Sequence, residues 1–167
     1  MWSKKTADEM FEAIGSFSQR NLGPVKAVGN ARALGDIIGF DMKSWIHDIG
    51  QGYFEVKVTQ FDTQRRSVVV RTLAGHPLAG WRYWGVKKLP DGDLLIETFS
   101  VEHPVTWIDT SKLFIGGLKG MYDTWTTELF DLLAFSGGIE VKAQDSIPFG
   151  EKKHQVFTYY ETVYGGD

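Results

Sequence analysis

The sequence predicts an α+β fold, in which an antiparallel β-sheet wraps around one long amphipathic helix in the second half of the chain. Four segments typical of β-strands follow one another between residues 53 and 101. A segment of helical periodicity comes next, and one side of that helix is apolar. Because an apolar helix face must be buried, the concave side of the preceding sheet is its natural partner.

Composition indicates one folded domain covering residues 1–167. Hydrophobic residues make up 43% of the chain and charged residues 23%, both ordinary for globular proteins. The chain has no cysteine, which excludes disulfides and cysteine nucleophiles and fits a reducing compartment. Neither a signal peptide nor an apolar run of roughly 20 residues is visible, so we expect a cytoplasmic protein without a membrane span.

Charge argues against nucleic acid as a partner. The net charge is -3 and the basic residues are scattered, whereas nucleic-acid binding needs a basic face. Aromatic residues make up 14% of the chain. Aromatic side chains form many cores, and they also line cavities that hold planar or apolar ligands.

The first helix is predicted over residues 6–17. Thr6 and Glu9 have the spacing of a capping box, and apolar residues recur at helical intervals after them. Residues 25–50 carry weaker patterns. The one element predicted there is a short helix over 42–49, which follows Asp41 and ends before Gly50.

The strands are predicted over residues 53–62, 66–73, 80–89 and 93–101. Asp91 and Gly92 lie between the last two, and Asp-Gly is a strong signal for a hairpin turn. The long helix lies within 111–138, with Gly137 as its C-cap. Residues 154–164 are strand-like and could close the sheet.

A two-residue turn at Asp91 and Gly92 sets the register of the hairpin. Trp84 is then opposite Phe99, and Arg82 is opposite Val101. The more apolar face of the hairpin is expected to point inward. That face holds Arg82, Trp84, Val86, Leu95, Glu97, Phe99 and Val101, with His103 at its open end.

Arg82 and Glu97 thereby fall among apolar neighbours, where an unpaired charge is costly. One interpretation is an internal salt-bridge network, or a register that differs by one residue and sends the charges to solvent. The other is a cavity in which Arg82 and Glu97 orient a mostly apolar ligand. Its walls would be Trp84, Phe99, Val101 and Trp125.

Candidate catalytic residues are His76, His103 and Glu97. Each histidine precedes a proline, a pattern typical of strand ends, yet imidazoles near a cavity mouth can also perform acid–base chemistry. No metal-ligand spacing, nucleophile elbow or nucleotide-binding loop is present in the sequence. We therefore expect neither a metal nor an organic cofactor.

The segment TLAGHPLAGWRYWGVKKLPDGDLLIETFSVEHP, residues 72–104, resembles the Gly-His-Pro segment and following hairpin of uncharacterised bacterial families in the START-like superfamily. The order of helix, antiparallel strands and long helix is similar to the helix-grip fold of that superfamily, which includes aromatic polyketide cyclases and pollen-allergen ligand carriers. The resemblance covers residues 53–138. It implies a cavity between the long helix and the sheet that holds a hydrophobic molecule, and it implies no particular reaction.

Two features depart from that pattern. A helix stands where the helix-grip fold begins with a strand, and the strand-like residues 154–164 follow the helix that usually ends the fold. A closed calycin-like barrel is therefore the alternative architecture.

Three functions are compatible with the sequence. The first is binding of a small hydrophobic molecule, including aromatic or polyketide-like ones, in an internal cavity between helix and sheet. The second is a cofactor-independent cyclase, dehydratase or isomerase acting on such a molecule. The third is a protein–protein interaction module, with a homodimer as one form of it, because exposed aromatic residues often anchor interfaces.

Overall fold

The computed structural model describes residues 5–41, 52–76, 78–90, 92–105, 118–137, 144–146 and 155–163. These residues form two α-helices, α1 (Ala7–Gly15) and α2 (Leu118–Ser136), and a 3-10 helix at Phe17–Gln19. They also form eight strands: β1 (Lys26–Val28), β2 (Ile37–Asp41), β3 (Tyr53–Asp62), β4 (Ser67–Thr72), β5 (Leu78–Lys88), β6 (Leu94–Pro104), β7 (Gln144–Ser146) and β8 (Gln155–Val163). The short helix predicted over 42–49 lies outside the described residues.

The strands form one antiparallel sheet in the order β1-β2-β3-β4-β5-β6-β8-β7. From β1 to β6 each strand pairs with the next one along the chain. After α2 the chain returns as β8, which pairs with β6. The predicted α+β class, the four central strands and the last strand are confirmed, whereas the short strands β1, β2 and β7 were not predicted.

The capping box of α1 forms as its sequence predicts. The Thr6 hydroxyl accepts a hydrogen bond from the Glu9 N–H at 3.2 Å, and the Glu9 carboxylate accepts one from the Thr6 N–H at 2.7 Å. Met10 and Ile14 are buried against the sheet. The helix ends at Gly15 instead of residue 17, because the chain tightens there into the 3-10 helix.

Both helices contribute to one hydrophobic core on a single face of the sheet. The ring of Phe17 lies 5.1 Å from that of Trp84 on β5, and Trp84 lies 5.6 Å from Trp125 on α2. An ion pair of 3.2 Å between Arg20 and Asp131 ties the segment after α1 to α2. Gly137 follows α2 with φ 73°, as expected of a helix C-cap.

The predicted register of the β5–β6 hairpin is wrong by one residue. Trp84 pairs with Thr98 and Arg82 with Ser100, instead of Phe99 and Val101. The Gly92 N–H donates a hydrogen bond to the Leu89 carbonyl, and the Leu89 N–H donates one to the Asp93 carbonyl. Leu89 and Asp93 therefore pair, and the loop between them has three residues, 90–92. Gly92 has φ 90°, which suits the left-handed last position of such a loop.

The extra loop residue reverses the orientation of every β6 side chain relative to β5. Arg82, Trp84 and Val86 point inward as predicted. Their companions on β6 are Leu94, Ile96, Thr98, Ser100 and Glu102, all of which are buried. The side chains predicted to face inward on β6, namely Leu95, Glu97, Phe99, Val101 and His103, lie on the opposite face.

Candidate functional site

Polar side chains occupy the layer between α2 and the centre of the sheet. Five buried ones form what we call the inner polar cluster: Arg82, Thr98, Ser100, Glu102 and Glu128. Trp84 and Trp125, which belong to the hydrophobic core, contact this cluster through Glu128 and Arg82. The strand pairing of β5 with β6 brings the first four together, and α2 brings Glu128 over them.

Arg82 is the positive charge of the cluster, and its side chain is 2% exposed. Its guanidinium donates to the Thr98 hydroxyl at 3.1 Å and to the Ser100 hydroxyl at 3.0 Å. The guanidinium carbon also lies 4.2 Å from the ring centroid of Trp125, within cation–π range. Strand pairing and helix packing thus fix the orientation of Arg82 from two sides.

Glu102 lies beside this group at the inner face of β6. The Ser100 hydroxyl is 3.4 Å from the Glu102 carboxylate and can donate to it. Burial raises the pKa of Glu102, while the nearby charge of Arg82 and the Ser100 hydroxyl act in the opposite direction.

Glu128 is the most enclosed acid of the cluster, with no exposed surface. One carboxylate oxygen, Oε2, accepts a hydrogen bond from Trp84 Nε1 at 3.2 Å. Burial raises the pKa of Glu128 to about 7, although the Trp84 N–H and the charges of Arg82 and Arg20 oppose the shift. A carboxyl group held in this way changes its protonation state near neutral pH.

Three buried polar atoms of α2 have no hydrogen-bond partner among the described residues. They are the second carboxylate oxygen of Glu128, Oε1, the indole nitrogen of Trp125, Nε1, and the hydroxyl oxygen of Thr126. Glu128 and Trp125 are three residues apart on the helix, so their side chains leave it on the same side. Buried polar atoms are nearly always hydrogen-bonded, so Glu128 Oε1 and Trp125 Nε1 are exceptions that need an explanation.

The structure brings together three of the residues predicted to bind a ligand, Arg82, Trp84 and Trp125. The other two, Phe99 and Val101, lie on the opposite face of the sheet. There the ring of Phe99 stacks on Tyr83 at 4.7 Å. The assignment of any of these residues to ligand binding stays a prediction.

Glu97, predicted as an anchor and an acid–base group, also lies on that opposite face. Its carboxylate forms an ion pair of 2.6 Å with Lys87. It sits six positions from His103 along β6, which corresponds to roughly 20 Å in an extended strand. The described geometry therefore separates Glu97 from His103.

The two candidate histidines lie toward one end of the β5–β6 pair. His103 is exposed and pairs with Ala79, and His76 precedes β5. The Nδ1 atom of His76 accepts a hydrogen bond from the Leu78 N–H at 3.0 Å, and its ring lies 5.3 Å from that of Phe54. These contacts fit the strand-end interpretation of the His-Pro pairs, and a catalytic role for either histidine stays a prediction.

Glu128 and Glu102 were not among the candidates derived from the sequence. Glu102 was placed outward by the register error. The sequence does indicate that Glu128 is buried, because Glu128 lies at helical spacing between Trp125 and Leu132, on the apolar side of the helix.

Within the described ranges, no three His, Asp or Glu side chains are grouped so that they could hold a metal ion. None of the helices that the structure describes is long and apolar enough to cross a membrane. Comparison of the chain with protein-family models, with curated proteins and with solved structures gives no match.

Proposed function

We propose that this protein binds a small, largely apolar molecule between α2 and the sheet, against the inner polar cluster. The observation that carries the proposal is the burial of one arginine and two glutamates in a cluster where Arg82 lies against the Trp125 ring and Glu128 accepts from Trp84, with Trp125 Nε1 and Glu128 Oε1 unpartnered among the described residues. Ligand sites in proteins commonly combine aromatic walls with a few fixed polar groups. The cluster supplies both.

A helix that only covered a sheet would have no need of this cluster. Burying ionisable groups is costly, and apolar side chains of similar volume are often as stable or more stable in such positions. The pKa values of Glu102 and Glu128 are raised because burial disfavours their ionised forms, which is the same cost. Arg82, Trp84 and Trp125 are accordingly proposed as ligand-binding residues, with Glu128 and Glu102 in place of Glu97 as acidic partners.

The α+β arrangement supports the same proposal. An antiparallel sheet with the long helix on its inner face is consistent with the helix-grip fold of the START-like superfamily, and we propose that architecture in preference to a closed calycin-like barrel. A hydrophobic ligand, including aromatic or polyketide-like molecules, would be held in the layer between helix and sheet.

Native mass spectrometry tests this function. Protein purified without organic solvent is incubated with a solvent extract of the expressing cells, desalted and measured under native and denaturing conditions. We expect a reproducible small-molecule adduct that is released on denaturation. Arg82→Met should lose the adduct, and Arg71→Met, which removes an exposed arginine from β4, should retain it. An apo mass for the wild-type protein would contradict the proposal.

A second candidate function is a cofactor-independent cyclase, dehydratase or isomerase. It is favoured by Glu128, because a carboxyl group that titrates near neutrality can donate and accept a proton under physiological conditions. If the protein converts a molecule identified as an adduct, Glu128→Gln should abolish turnover of that molecule. His76→Ala and His103→Ala should leave the turnover rate unchanged. The reverse pattern would return the acid–base role to the histidines.

A further inference from the structure

We propose that the ligand carries a hydroxyl group, which accepts a hydrogen bond from Trp125 Nε1 and donates one to Glu128 Oε1. This inference rests on the ligand-binding function proposed above and names the polar group that the site selects. It follows from Glu128 Oε1, in the inner polar cluster, and from Trp125 Nε1 on the same side of α2, both buried and without a partner among the described residues.

The hydrogen-bonding capacity of these two atoms differs. An indole N–H is a donor only, so its partner must be an acceptor. An ionised carboxylate oxygen is an acceptor only, so its partner must be a donor. Trp125 is 8% exposed and Glu128 is fully buried, so bulk water has little access to either group. A single group that both accepts and donates satisfies the pair.

The environment argues against a carboxylate, an ether or a ketone as the head group. A carboxylate on the ligand would have to lie beside Glu128, with Asp131 as a further negative group nearby. Arg82, the buried cation, is already engaged with Thr98, Ser100 and the ring of Trp125. An ether or ketone can accept from Trp125 but cannot donate to an ionised Glu128. A hydroxyl group has both capacities and adds no charge.

The test compares two probes of nearly equal shape, 2-naphthol and 2-methoxynaphthalene, by equilibrium dialysis at pH 8, where Glu128 is ionised. The wild-type protein should bind 2-naphthol about tenfold more tightly, the effect of one hydrogen bond to a charged acceptor. Glu128→Gln should remove this preference, because an amide whose oxygen accepts from Trp84 offers only donors to the ligand. Trp125→Phe should weaken the binding of both probes and leave the preference for 2-naphthol in place.

Glu55→Gln, which changes an exposed acid on β3, is the matched control and should behave as the wild type does. Equal affinity for the two probes in the wild type, or a preference that survives in Glu128→Gln, would overturn the hydroxyl assignment and leave ligand binding intact. Binding of neither probe, together with an apo mass in the native spectrum, would overturn both proposals.

Discussion

Glu128→Gln should make the protein more stable above neutral pH. The pKa of Glu128 is about 7 in the folded protein against an ordinary value of 4.5. A difference of about 2.5 corresponds to ~3 kcal/mol, since each pKa unit is worth about 1.4 kcal/mol. The folded protein holds the proton more tightly than the unfolded chain, so this acid lowers the free energy of unfolding as pH rises from about 4.5 to about 7.

Glutamine removes this titration and keeps an oxygen that can accept the Trp84 N–H. We expect the wild type and Glu128→Gln to have similar free energies of unfolding near pH 4.5. At pH 8 the variant should be more stable by about 3 kcal/mol. Glu102, whose pKa is also raised, contributes equally to both proteins and cancels in the difference.

Urea unfolding followed by far-ultraviolet circular dichroism at pH 5, 6.5 and 8 measures this difference. Glu55→Gln is the control, because it removes a negative charge from the surface of β3. Parallel pH profiles of the wild type and Glu128→Gln would refute the reasoning, because they would show that Glu128 is ionised in the folded protein at pH 5.

Three further changes test the fold. Thr6→Ala should lower the free energy of unfolding by about 1 kcal/mol, because it removes the capping box; an unchanged urea midpoint would contradict this. Lys87→Met should cost about 1–3 kcal/mol in the same assay, because it leaves the Glu97 carboxylate, whose side chain is only 9% exposed, without its cation; an unchanged urea midpoint would show that water replaces the lysine. Gly85→Ala should cost about 1–3 kcal/mol, because the alanine Cβ would overlap the Tyr83 hydroxyl. A double-mutant cycle should show a much smaller cost of Gly85→Ala in a Tyr83→Ala background, and additive losses would rule out this overlap as the cause.

Local patterns in the sequence were sufficient for most of the elements. The alternation of residues 53–62 predicted β3 with its observed bounds, and Thr6 with Glu9 predicted the start of α1. These signals work because each depends on residues close together in the chain. Strands β1 and β7 have three residues each, too few for an alternating pattern to stand out.

The candidate site depended on one loop residue. Asp-Gly suits a two-residue loop, but a three-residue loop also uses glycine at its last position, and Pro90 favours the turn that begins it. The sequence does not distinguish the two, although the choice decides whether Glu97 or Glu102 points inward. In the folded chain Leu94 and Ile96 are buried together with Glu102 on the side that faces the helices, although the other side of β6 carries the larger apolar residue Phe99.

Glu128 connects the stability of the fold to its proposed function. The Trp84 N–H needs an acceptor on α2, and glutamine would supply one without the cost of an ionisable group. What glutamate adds is a second acceptor, Oε1, which no described residue uses. If Glu128→Gln is both more stable at pH 8 and unable to prefer 2-naphthol, the same carboxylate that destabilises the core selects the ligand. A variant that is more stable but keeps the preference would separate the two effects, and another group of the cluster would then have to account for selectivity.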